Sequence, residues 1–315
     1  MPWNPFGKKP KPDEFETLFR DTCARHGLKV TEIAGEQATV IKAGEPTTLF
    51  LANVRARAMN AAPADRGAIL NHFVQASMSA PSGEGVSLDV ARDRLMPRVG
   101  LPFAPMDEVP PFRVLVAARS EETKTARDPA GASVVVPAVP ALHVNLVVDE
   151  AMTVWYVRQK HLDEWKTTFD ALYAIALENL RRRSSPNDLR PISQVPGLVA
   201  YDTGDSYDAA RLLVLKDIVN PWPQEGVIAA VPVRDLLLCV RLESLDAIRA
   251  MNPTFAFAHD LSMKEGYAIT DQPLWFDGSS WEYVPVRIDE KGLGVFAPDR
   301  FVEALNRLGK SPTAR

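Results

Sequence analysis

Apolar residues recur along this chain at two periods, and the switches between them mark out its elements. Phe15, Leu18, Phe19 and Cys23 repeat at helical spacing after Asp13, whose carboxylate can cap a helix, and Gly27 marks the end of that helix. Extended segments are expected at Leu28 to Ile33, Thr39 to Ile41 and Thr47 to Met59. The last of these contains Val54-Arg-Ala-Arg-Ala-Met59, which alternates apolar and charged residues as a strand wet on one face would. Beyond Pro63, the positions Ile69, Leu70, Phe73, Val74 and Met78 restore a helical stripe.

Proline and glycine punctuate the stretch from Ala80 to Pro140, which predicts long loops around one strand at Arg113 to Ala118. Leu142, Val144, Leu146 and Val148 then alternate with His143 and Asn145, and a turn at Asp149-Glu150 leads into Met152 to Val157, a hairpin. His143 has no second histidine at metal-binding spacing, so it reads as a residue of the polar strand face. A long helix is expected next, with Leu162, Trp165, Phe169, Leu172, Tyr173, Ala176, Leu177 and Leu180 on one stripe. Ser184-Ser-Pro-Asn-Asp188 closes it and is the expected boundary between two halves.

The second half reads as a strand at Leu198 to Tyr201 and a helix from Ser206 to about Val219. A hairpin of Gly226 to Val231 with Leu236 to Leu242 follows, turning at Pro232-Val-Arg-Asp235. Ser244 can cap a short helix carrying Leu245, Ile248 and Met251. Asp277-Gly278 turns into Trp281 to Ile288, and a last helix follows Pro298 with Phe301, Leu305 and Leu308 inward. Helices and strands come in blocks, which predicts an α+β fold with antiparallel or mixed sheets and flanking helices. The expected organisation is a flexible leader at 1–12, an N-terminal half at 13–183 and a C-terminal half at 184–315, the two halves packing either separately or as one unit.

With 315 residues and 46% hydrophobic content, the chain can bury a large core. A formal net charge of −4 argues against a nucleic-acid partner, whose phosphates need a basic field. The dense basic run Arg181-Arg182-Arg183 reads as a helix C-terminus, where cations meet the negative end of the dipole. Cys23 and Cys239 both lie in apolar segments and supply neither a disulfide framework nor a zinc ligand set. No apolar run is long enough to span a bilayer, and the proline-rich start is not a signal peptide, so a cytoplasmic location is expected.

Tyr207-Asp-Ala-Ala-Arg-Leu-Leu213, followed by Ala230-Val-Pro-Val-Arg-Asp-Leu-Leu237, resembles the YtpQ-like family of bacterial proteins, a domain of unknown function (DUF 1444). Ala176-Leu-Glu-Asn-Leu-Arg181 fits the same pattern. A weaker likeness runs from Thr47 to Met59 at one end and from Trp281 to Val286 at the other. The leader, the loops between Gly100 and Pro140 and the tail beyond Asp289 depart from it. The resemblance implies an intracellular bacterial protein and supplies no mechanism. The block order through Arg183 also resembles the small chaperones of secretion systems, an analogy of topology alone.

Candidate chemistry centres on Asp205, Tyr207, Asp208, Arg211 and Asp235. Gly204-Asp205-Ser206 has the look of the nucleophile turn of Gly-Asp-Ser hydrolases, but the late Asp-x-x-His that supplies their base is missing. The YtpQ-like pattern carries glycine where Ser206 stands, and Ser206 reads instead as a helix N-cap. Two readings of the acidic residues stand. In one, Asp205 and Asp208 tether backbone amides at a helix start and Arg211 pairs along it. In the other, Asp202, Asp205, Asp208 and Asp235 gather at one end of the sheet to hold a cation, with Arg211 clamping an anion. The expected function is a non-catalytic, regulatory or protein-binding module using an exposed part of its sheet or a groove beside it. The alternative is a metal-assisted hydrolase or phosphoryl-transfer enzyme built on the acidic cluster.

Overall fold

The computed structural model describes residues 13–34, 37–42, 45–79, 85–102, 109–125, 133–150, 154–264, 268–289 and 292–310. The proline-rich leader and the turn after Glu150 lie outside them. The fold is α+β. The chain divides into two compact units, 1–81 and 82–315, so the boundary expected at 184–188 falls inside the second.

In the first unit α1 (Glu14–Arg25) begins at Asp13, whose Oδ1 accepts the Glu16 N–H at 2.7 Å. β1 (Lys29–Ala34), β2 (Gln37–Lys42) and β3 (Glu45–Phe50) form an antiparallel meander with β2 central. α2 (Ala52–Asn60) and α3 (Pro63–Ser79) follow. Residues 54–59, expected as a strand, are therefore helical. Leu51, Val54 and Ala58 are spaced for one helix face and reach a core with Phe15, Phe19, Leu70 and Val74. Alternation over six residues fits either period, and the run of Ala, Arg and Met favours the helix.

The second unit opens with α4 (Leu88–Ala91), capped by Ser87, and β4 (Leu95–Gly100). Then come β5 (Phe112–Val116), β6 (Glu122–Thr125), β7 (Ser133–Val136), β8 (Leu142–Asp149) and β9 (Val154–Tyr156). β4 and β5 flank β8, β9 also pairs with β8, and β6 with β7 forms a separate ribbon where only loops were expected. The long helix expected through Leu162–Leu180 is two: α5 (Gln159–Glu164) and α6 (Phe169–Arg182). Lys166 turns left-handed between them (φ +51°), and Thr168 Oγ1 restarts the helix by accepting the Ala171 N–H at 3.2 Å. The aromatic stripe continued through the break and concealed it. At the end of α6, Arg181 meets Asp217 and Arg183 meets Asp149, each at 2.8 Å.

Beyond α6 the unit builds β10 (Leu189–Pro191), β11 (Leu198–Tyr201), α7 (Leu215–Ile218), β12 (Val227–Ala230), β13 (Leu237–Arg241) and α8 (Leu245–Lys264). β14 (Leu274–Phe276), β15 (Trp281–Tyr283), β16 (Val286–Asp289), β17 (Gly292–Val295) and α9 (Asp299–Lys310) complete it. A six-stranded antiparallel sheet runs β10-β11-β13-β12-β14-β15, and β16 pairs with β17. Period-2 alternation sends its side chains to two cores. Leu198, Ala200, Ile228, Ala230, Leu238 and Val240 meet Ala247, Phe255 and Phe301 of α8 and α9. Tyr201, Val227, Ala229, Leu237 and Cys239 join Met96, Val144 and Val147 of the other sheet, and Leu180. That second core runs continuously across residues 184–188.

α8, expected as a short helix, spans 20 residues and passes through Pro253. Proline lacks the N–H of an interior turn. The carbonyl left without that donor is Arg249's; next to it Thr254 Oγ1 donates to the Ala250 carbonyl at 2.7 Å, and buried Phe255 and Ala258 anchor the continuation to the sheet. Among the described residues no helix is long and apolar enough to cross a membrane.

Candidate functional site

β11 ends at Tyr201, and the chain reverses through a turn whose shape is set by two carboxylates. Asp205 Oδ1 accepts the Tyr207 N–H at 2.9 Å. Asp208 Oδ2 accepts the N–H groups of Thr203 and Gly204 at 3.0 and 3.1 Å, and its Oδ1 accepts the Thr203 hydroxyl at 2.8 Å. Gly204 and Ser206 both take φ +71°. Ser206 is therefore a left-handed turn residue and not the expected helix cap. The chain then winds as a tight 3-10 segment, Ala209–Val214, into the single turn of α7, in place of one helix over 206–219. Asp208, at the point of entry, folds its side chain back over the preceding turn, so no N-cap bond holds the start of an α-helix.

Arg211 locks this turn. One guanidinium nitrogen donates to Asp205 Oδ1 at 2.9 Å and Asp208 Oδ1 at 2.7 Å; the other donates to Asp205 Oδ2 at 2.7 Å and to the Arg183 carbonyl at 3.0 Å. Its plane lies over the Tyr201 ring at 4.6 Å, and the Tyr201 hydroxyl donates to the Ser185 carbonyl. Arg211 is 1% exposed and Asp208 fully buried. Burial works to raise the Asp205 carboxyl, but Arg211 and the Tyr207 amide outweigh it and hold it below the ordinary carboxylate value. Burial pushes Asp208 upward against its donors, while the two carboxylates raise the Arg211 guanidinium despite its burial. Tyr207 is a core residue, 1% exposed, with its phenol raised by burial and by the charge of Asp149.

Asp235 does not join this group. It sits in the turn before β13, gripped by its neighbour Arg234 through two bonds of 3.1 Å, and together with Asp202 it lines a different cavity. Tyr207, Asp208, Arg211 and Asp235 thus share no pocket. Asp205 and Asp208 spend their oxygens on Arg211 and on backbone amides. Among the described residues no group of three or more His, Cys, Asp or Glu is placed to hold a metal. The cluster is a buried ionic staple, and the residues read as a cation or anion site are its internal partners.

A groove of about 560 Å³ lies beside the sheet. Its floor is Ile192, Ala200, Leu236 and Leu238, and Phe257 and Leu261, one turn apart on α8, form its wall. Phe257 is 43% exposed, a large aromatic left in solvent at the lip. Asp235, paired with Arg234, also lines it. Asp202 and Arg190 line the groove, both exposed, and the side chain of neither forms an ion pair or hydrogen bond among the described residues. The groove was illegible from sequence because its wall belongs to the half of α8 beyond Pro253. A larger, shallower depression of about 780 Å³ beside Val109–Arg113 has its charges already joined, Arg113 to Asp170 at 2.6 Å.

Of the five histidines, His143 and His259 bear on catalytic chemistry. His143 lies 9% exposed and stacks on Phe112, ring centroids 4.0 Å apart, so it is a covered side chain of β8 whose imidazolium burial disfavours. His259 pairs through Nδ1 with Asp271 Oδ2 at 2.8 Å, a dyad linking α8 to the segment before β14. Its partner lies 12 residues away, a separation without a motif. Ser262 nearby spends its hydroxyl on the His259 carbonyl, so the dyad faces no nucleophile there.

Comparison with known protein families, curated proteins and solved structures finds no match for this chain.

Proposed function

We propose that the chain is a non-catalytic module that binds a protein partner in the groove between α8 and the β10–β11–β13 end of its sheet. The observation that carries this reading is the groove itself, an apolar trough with an exposed aromatic at its lip. Solvent-facing aromatics beside a pocket are the anchors that dominate binding energy at protein interfaces. In the polar cluster that sequence offers as a catalytic alternative, both carboxylates and both terminal guanidinium nitrogens are bonded internally, which leaves binding as the better-supported activity.

The reading places the protein inside a bacterial cell, as a divergent relative of the YtpQ-like proteins. Support for that kinship comes from position 206, where the backbone adopts the conformation that glycine holds without strain and where the family pattern carries glycine.

A photo-crosslinking residue placed at Phe257, with a control at the 41% exposed Val302 of α9, tests the function in the native source. Adducts to a protein at position 257 and none at 302 are expected. Equal labelling at both positions, or none at either, rejects the groove as the binding site.

A further inference from the structure

We infer that the groove's occupant is a short linear segment of the partner in which one apolar residue is flanked by a basic side chain on one side and an acidic side chain on the other. This rests on the groove being the binding site and adds the chemistry of what enters it. Arg190 stands opposite Ala200 across the β10–β11 pair, and Asp202 lies two residues beyond Ala200, so the two lip charges are diagonal neighbours over one floor. Residues so placed on a sheet lie within reach of each other. Arg190 and Asp202 nonetheless form no ion pair, whereas the adjacent Arg234 and Asp235 satisfy each other.

An apolar floor bordered by a free cation and a free anion is matched by a ligand with the opposite order of charges. Asp202 faces the incoming basic group, Arg190 the acidic one, and the apolar anchor seats among Leu238, Phe257 and Leu261. Charges at a lip set orientation and register more than raw affinity, and their contribution is screened by salt. A volume of about 560 Å³ accommodates the side chains of a few residues, not a folded surface.

Selection from a random peptide display library on the full chain tests the assignment. The wild-type protein is expected to enrich peptides with a basic residue, an apolar anchor and an acidic residue in fixed order. Asp202→Lys should replace the basic preference with an acidic one, and Arg190→Glu the acidic with a basic one. Each reversal should weaken the wild-type-selected peptide about tenfold at low salt, and less as salt rises. Both positions are exposed, so folding is not at stake, and near-ultraviolet circular dichroism checks this. Anchored peptides that ignore both reversals, yet vanish with Phe257→Asp, overturn the charge assignment and leave the binding reading standing. Failure to enrich any peptide sensitive to Phe257→Asp overturns the linear-segment occupant. The crosslinking from position 257 then decides separately whether the groove binds protein at all.

Discussion

Arg211 shows how one side chain can look like a ligand clamp in sequence and be a staple in the fold. Truncating it leaves Asp205 and Asp208 facing each other without a counter-charge, a buried imbalance that costs about 3–5 kcal/mol. Arg211→Ala should therefore lower the denaturant midpoint steeply, and unchanged unfolding would show that solvent already shares the site. Ser206 is the opposite case. A serine at φ +71° carries left-handed strain that glycine does not, so Ser206→Gly should raise stability by about 0.5–1 kcal/mol in the same assay, net of glycine's greater chain entropy. The residue types of the cluster were readable from the Tyr-Asp-Ala-Ala-Arg segment, but the amides that Asp208 holds are those of the preceding turn and not those of the expected helix start. That Asp205, six positions from Arg211, forms the bidentate pair was not, because the intervening turn sets it and helical spacing does not. Nor could spacing exclude Asp235, whose partner is its own neighbour.

Elements with an unambiguous period were legible: α1, the β8–β9 pairing, β11, the β12–β13 hairpin and α9. Those that failed had patterns serving two periods, as in α2, or a local break or bridge, as in α5–α6 and in α8 across Pro253. The β14–β15 hairpin illustrates a turn that sequence does reveal. Asp277 Oδ1 accepts the Ser279 and Ser280 N–H groups at 2.7 and 2.8 Å, and Arg300 pairs with its other oxygen. Burial works to raise this carboxyl, but the two amides, the Ser279 hydroxyl and Arg300 together bring it from an ordinary 3.8 down to about 2. Being lower in the folded state, it contributes stability in full above its unfolded value and loses it as pH falls through the folded one. Urea unfolding of wild type should thus weaken between about pH 4 and pH 2 more than that of Asp277→Asn. Parallel pH profiles would remove the hairpin from the acid response.

At the scale of the molecule, each unit carries its own core: buried residues between Phe15 and Val74 supply one, and the hydrophobic clusters of the second unit draw on residues from Val86 onward. A fragment spanning 82–315 should accordingly fold alone, with the same near-ultraviolet spectrum in its aromatic region as that part contributes to the whole, and a molten fragment would refute it. A division at 184 should fail, because Leu180 and Tyr201 belong to one core. The Arg211 guanidinium joins the carbonyl at the end of α6, the ring closing β11 and both carboxylates of the turn. Withdrawing the guanidinium would break all of these contacts at once. The amides of Thr203, Gly204 and Tyr207 should therefore exchange with deuterium as one synchronous set, and the staple would act as a clasp that opens all at once or stays shut.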